Sequence, residues 1–165
     1  MVAINSAGEG ASDFVTVMTG EDAPEQVQPV LVFAQTGTSL SLSWNPPLTP
    51  NGQIRVYMLY LNSELVYDGS ATMTTIQNLE PFTTYSVQLV ACTFVACSFG
   101  EIQSLMTAMI APSDQPAPIL TILSARSVSI QWEPPSRPNG EITMYDVLRR
   151  RAGNSDENTN TLFTT

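Results

Sequence analysis

Two cysteines, Cys92 and Cys97, stand five positions apart and are the only pair in the chain. Thiols at this spacing can form a disulfide, remain free, or contribute to a metal site. Tyr85, Val87, Leu89 and Ala91 alternate with polar or smaller partners, so the run reads as a strand with one buried face. Cys92 follows inward-facing Ala91 and is expected to point to the solvent face. A hairpin turning over Thr93 to Ala96 would set Cys97 opposite it, and cross-strand pairs reach the ~5.5 Å Cα separation that a disulfide favours. The expected chemistry is therefore a disulfide formed in an oxidising compartment. Two free thiols in a cytosolic domain is the alternative. Two cysteines without histidine or further cysteine cannot complete a zinc site. So short a loop removes little unfolded-state entropy, and the staple is expected to contribute about 2 kcal/mol.

Other reactive combinations are scarce. The chain has fifteen Asp and Glu, six Arg, no Lys and no His, for a net charge of −9. The usual general base and the commonest metal ligand are thus missing, and no Ser or Thr has a His or Lys to activate it. No catalytic, cofactor-binding or metal-binding residue is assigned. Gly8-Glu9-Gly10 falls in a hairpin, not at the strand-to-helix turn a phosphate loop needs. Arg149-Arg150-Arg151 is the one basic run. It is either a patch for an acidic partner or sulfated glycan, or a solvated strand end beside Asp146 and Glu157. Glu21, Asp22 and Glu25 supply carboxylates, but no loop of ordered Asp/Asn spacing offers the six to eight oxygens calcium takes. The acidic balance argues against nucleic-acid and anionic-membrane partners. No run approaches the ~18 apolar residues of a membrane span. No signal peptide follows Met1, and Val2 onward reads as the middle of a strand. No Asn-x-Ser/Thr sequon occurs.

The elements that must carry these residues are set by a repeat. Trp44-Asn45-Pro46-Pro47, Pro50-Asn51-Gly52, Ile54 and Tyr57 recur at an offset of 88 as Trp132-Glu133-Pro134-Pro135, Pro138-Asn139-Gly140, Ile142 and Tyr145. The same offset relates Val2-Ala3 to Val90-Ala91, Met18-Thr19 to Met106-Thr107, and Ala23-Pro24 to Ala111-Pro112. A period this long is the size of a small domain, too large for a solenoid unit. The expected division is residues 1–23 as the closing hairpin of one unit, 24–111 as a complete unit, and 112–165 as the opening part of a third. Neither flank is expected to fold stably, and trimming to 24–111 is expected to give a better-behaved monomer. Pro112, Pro116 and Pro118 in place of a Gly/Ser tether favour a semi-rigid junction.

Within the complete unit, Ser39 to Trp44 alternates polar and apolar and stops at Pro46-Pro47, which lack ladder donors. Asn51-Gly52 marks a turn. Strands are expected near Val30–Phe33, over Ile54–Leu61, Glu64–Tyr67, Thr72–Ile76 and Tyr85–Ala91, and over Ile102–Thr107. Seven short antiparallel strands and no sustained helical period predict an all-β, immunoglobulin-like sandwich.

Trp44, the Pro-Pro pair, Asn51-Gly52, Tyr57 and Leu79-x-Pro81-x-Thr83-x-Tyr85 resemble a fibronectin type III domain. The resemblance covers essentially the whole chain and implies that Trp44, Tyr57, Leu79, Tyr85, Trp132 and Tyr145 are core residues that define the fold. It also implies a tyrosine corner at Tyr85, and it makes the cysteine hairpin the F–G hairpin. More narrowly, Pro-Asn-Gly-x-Ile-x-x-Tyr, Leu65-Val66-Tyr67-x-Gly69, Leu79 to Tyr85 and Ala91-Cys92-Thr93-x-x-x-Cys97 resemble the repeats of one very large extracellular, membrane-anchored array of sensory cells. Ala96 and Arg149-Arg150-Arg151 depart from that pattern. The likeness implies a non-catalytic link or basement-membrane role in hearing and photoreceptor maintenance. The partners it implies are neighbouring type III repeats and matrix or cell-surface proteins. A ligand-binding receptor ectodomain and an intracellular filament-associated scaffold are the other readings. The Trp-Ser-x-Trp-Ser signature of cytokine receptors and the Arg-Gly-Asp integrin sequence are both absent.

Overall fold

The computed structural model describes residues 1–149 and 160–164. The chain opens with an antiparallel hairpin of β1 (Val2–Asn5) and β2 (Gly8–Ala11), exposed along its whole length. A sandwich follows. One sheet has the order β3 (Leu31–Gln35), β4 (Ser39–Ser43) and then β7 (Met73–Gln77). The other is built on β5 (Val56–Leu61), flanked by β6 (Glu64–Gly69) and β8 (Thr84–Cys92). Beyond β8 lie β9 (Cys97–Phe99) and β10 (Gln103–Met106), both paired to it.

The period-two pattern decides which side chains meet. Leu40 and Leu42 of β4 and Ile76 of β7 face Tyr57, Leu59 and Leu61 of β5 and Tyr85, Val87, Leu89 and Ala91 of β8. Leu40, Leu42, Leu59 and Val87 are fully buried, and each large apolar side chain so removed from water contributes about 1.5–3 kcal/mol. The serines of β4 point the other way, where Ser41 Oγ lies 3.0 Å from Thr75 Oγ1 across the sheet. Trp44 follows the strand into the core. Its ring meets those of Tyr57 and Tyr67 edge-on, at centroid distances of 5.8 and 5.5 Å, the geometry the ring quadrupoles prefer. Leu79 is likewise buried.

Local chemistry closes the turns. Asn62 and Ser63 link β5 to β6 with φ of 49° and 69°, the doubly positive pair of a two-residue hairpin turn whose twist suits the flanking strands. At the start of β8, the Tyr85 phenolic oxygen accepts the Glu80 N–H at 2.8 Å. Thr107, 1% exposed, locks the same corner from the far side. Its hydroxyl donates to the Glu80 carbonyl at 2.7 Å and accepts the Thr83 N–H at 3.0 Å. The open side of the sandwich between β3 and β10 is bridged by one side chain. Gln103 Oε1 accepts the Val30 N–H at 2.7 Å, and its Nε2 donates to the Val30 carbonyl at 3.2 Å.

Three features add detail to the sequence expectation. The closing strand β10 falls within the expected 102–107, and Cys97 lies on a separate short strand, β9; between them the Gly100 N–H reaches the Leu89 carbonyl at 2.8 Å, and a Cβ there would lie 3.2 Å from both that oxygen and Val27. The opening strand exposes Leu31, Val32 and Phe33, and its register slips between Val32 and Ala34. Only Val30, just before it, is buried.

The third lies further along. Strand β11 (Ile119–Ser124) pairs with β12 (Ser127–Gln131), and β13 (Asp146–Arg149) with β14 (Asn160–Thr164). These are separate two-stranded sheets. Trp132 and Tyr145 sit 6.0 Å apart, as Trp44 and Tyr57 do, but both are half-buried and not enclosed. Among the described residues, no wide second sheet covers them.

Candidate functional site

Strand pairing brings the two cysteines together. In the β8–β9 hairpin Cys92 stands directly opposite Cys97, with Cα atoms 4.0 Å apart and Sγ atoms bonded at 2.02 Å. Cys92 lies on the face opposite Ala91, as the alternation requires, yet it is 3% exposed where a solvent-facing thiol is expected. The reason is its place in the sheet. It has Val56 on one side and its bonded partner on the other, so both flanks are covered. Cys97 is the exposed half of the pair.

The tip between them is organised by Thr93. Its N–H donates to the Ala96 carbonyl at 3.0 Å, closing the turn. Its hydroxyl, buried with the rest of the side chain, donates to the Asp22 carbonyl at 3.0 Å. The carboxylate of Glu21 accepts the Phe94 N–H at 3.3 Å through one oxygen and the Gln53 N–H at 3.2 Å through the other. The segment that precedes the sandwich thus ties the tip to the loop at Asn51-Gly52. Phe94 and Val95 remain exposed at the apex. The Arg55 guanidinium sits 5.0 Å from the Phe94 ring centroid, within the range of a cation–π contact. A surface cavity of about 730 Å³ lies beside the tip, lined by Glu21, Ile54, Arg55, Ser70, Phe94 and Val95.

The other sequence candidates are not drawn to this place. Arg149 is exposed at the end of β13; Arg150 and Arg151 lie outside the described residues. Glu21 and Asp22 act as backbone acceptors, Asp22 Oδ1 taking the Ala23 N–H at 2.7 Å, while Glu25 pairs with Thr49 through its backbone. Among the described residues, no three His, Cys, Asp or Glu side chains gather as a metal site would require. Burial raises the Tyr57 phenol above its ordinary pKa of 10.0.

Sequence reasoning missed Thr93, Glu21 and Arg55 as parts of these contacts. Only the position of Glu21 and Asp22 just ahead of the repeat boundary carried a signal, since residues there must touch the loops at that end of the sandwich.

A two-sheet antiparallel sandwich with a buried strand tryptophan and a tied tyrosine corner is the architecture of the fibronectin type III domain. The chain matches, over its residues 22–96, the family model described as Fibronectin type III domain. It is similar to usherin. The match to usherin of Mus musculus is 35% identical over 157 residues, 94% of this chain, and the match to usherin of Homo sapiens is 34% identical over 151 residues, 91% of it. The chain spans 3% of the length of each. The solution structure of the fibronectin type-III domain of human fibronectin type III domain containing protein 3 aligns at 25% identity and a TM-score of 0.48, over 55% of this chain and 91% of that one.

Proposed function

We propose that the chain is a non-catalytic spacer and adhesive segment of a large extracellular tandem array, in which residues 24–111 are one complete unit between parts of two others. The observation that carries this reading is the disulfide that closes the exposed tip of the β8–β9 hairpin. Such a bond persists in oxidising surroundings. The likeness to usherin over more than nine-tenths of the chain supports the array, and by that resemblance the setting is a membrane-anchored or secreted protein of sensory cells. Neighbouring type III units are the first partners. Matrix or cell-surface proteins are the second, meeting the exposed Phe94 and Val95 held at the tip.

The test is the intact mass of the full chain secreted from an oxidising pathway, alkylated with and without reductant. The expected result is no alkylation of the folded chain and two alkylated thiols after reduction. Two reactive thiols in folded, secreted protein would overturn the extracellular reading and favour an intracellular scaffold.

A further inference from the structure

The 88-residue repeat extends to a set of hydrogen bonds that the sequence reading treated only as turns. In the complete unit, the Asn51 side-chain amide donates to the Ala23 carbonyl at 2.9 Å, and the Asn51 carbonyl accepts the Asp22 N–H at 2.9 Å. Glu25 and Thr49 form a bridge beside them. The next occurrence repeats every contact. The Asn139 amide donates to the Ala111 carbonyl at 2.9 Å, the Asn139 carbonyl accepts the Ile110 N–H at 3.1 Å, and Ser113 bridges Arg137. Both asparagines hold positive φ, 49° and 52°, which turns the side-chain amide and main-chain carbonyl toward one incoming segment. Each loop glycine lies beneath a side chain of that segment. A Cβ at Gly52 would lie 2.8 Å from Glu21 Cγ, and one at Gly140 3.0 Å from Met109 Cγ.

At the second site the incoming segment is held from behind as well. Thr107 N–H donates to the Thr83 carbonyl, and Ala108 both donates to the Thr36 carbonyl at 3.0 Å and accepts the Phe82 N–H at 3.2 Å. Ile110 packs on Gly37 so closely that a Cβ there would come within 2.4 Å of its Cγ2. One residue, Met109, separates the last backbone bond to the preceding sandwich from the first to the following loop. A hinge is made by a few residues free to absorb a change in φ and ψ, and here only Met109 lies between the two sets of bonds.

We infer that the Pro-Asn-Gly loop is a socket for the linker arriving from the preceding unit, and that Asn139 in this way locks adjacent units at a fixed angle. The inference rests on the division into units proposed above. It deepens that reading by naming the surface through which one unit recognises the next: a main-chain segment offering one carbonyl and one N–H, with a side chain that lies flat on glycine.

The test uses the full chain, with amide residual dipolar couplings measured for residues 24–107 and 119–131. One alignment tensor is expected to fit both sets. Asn139→Gly keeps the positive φ and removes the amide donor, and it is expected to split the sets into two tensors with reduced order for 119–131. Gly37→Val, which displaces Ile110 without touching the loop, is expected to reorient one set against the other. Asn62→Gly, a left-handed asparagine away from the junction, should leave the single tensor intact. Two tensors in the unsubstituted chain, with both segments folded, would overturn the socket and leave the division into units standing. Random-coil shifts throughout 119–149 would overturn the socket, because the loop at Asn139 would then be unformed, and leave the division into units standing. A single tensor unchanged by Asn139→Gly and by Gly37→Val would remove the role assigned to Asn139.

Discussion

Replacing Thr107 with valine isolates the hydroxyl that holds the corner before β8. The side chain is 1% exposed and valine has nearly its volume, so packing changes little while the hydroxyl's two shortest bonds are lost. These are the 2.7 Å bond to the Glu80 carbonyl and the 3.0 Å bond from the Thr83 N–H. A buried polar group left without a partner costs about 1–3 kcal/mol. Glu80 keeps its own N–H bonded to Tyr85, and Thr83 is only half-buried, so some of the loss is recovered through water. The expected destabilisation is about 2 kcal/mol. For a sandwich of this size that corresponds to a fall of about 8–16 °C in Tm. Urea unfolding would be followed by tryptophan fluorescence in a Trp132→Phe background, so that the signal comes from Trp44 within the core. Thr107→Ser keeps the hydroxyl and loses one methyl, for which about 1 kcal/mol is expected. A valine variant within about 0.5 kcal/mol of the parent, the range of ordinary surface changes, would refute the reasoning. So would a serine variant less stable than the valine one.

Two further outcomes follow from the core and the turn. Because burial raises the Tyr57 pKa above 10.0, the folded state holds that proton where the unfolded chain has lost it. Stability is therefore fully present below pH 10.0 and declines as pH rises through the folded pKa; Tyr57→Phe should flatten that decline in thermal melts run on either side of it, and an unchanged slope would count against the assignment. Ser63 sits at φ 69° beside Asn62, a left-handed conformation that costs a residue with a Cβ about 1–2 kcal/mol; Ser63→Gly is expected to raise the urea midpoint by about 1 kcal/mol equivalent, and a lower midpoint would contradict the turn geometry.

What the sequence disclosed was phase. Alternation in Ser39 to Trp44 and in Tyr85 to Ala91 fixes which side chains are buried, because a strand offers only two faces, and Leu40, Leu42, Val87 and Leu89 lie where that rule sends them. Phase alone does not give coverage. Cys92 has the outward phase and is nonetheless buried, since enclosure depends on neighbours across the sheet. Leu31 belongs to an apolar strand and is exposed, because it stands opposite Ser43 on the outward face of the sheet. Contacts such as Thr93 to Asp22 join residues 71 positions apart, and no local pattern encodes them. Asn51 and Asn139 were legible as turn formers. Their second use depends on where the preceding segment passes, which only the folded chain reveals.

The amide of Gln103 has a consequence under load. In an array pulled along its length, tension enters a sandwich through the segment before β3 and leaves through the segment after β10. Those two strands belong to different sheets, so no backbone ladder joins them. The paired bonds from Gln103 to Val30 span that gap beside the point of entry, at the start of β10. They act as a mechanical latch, and they must part before the two sheets can be drawn from each other at that edge. The resistance of the unit to stretching thus depends in part on one uncharged side chain, whose bonds are insensitive to salt and to pH over the range in which the sandwich itself is stable.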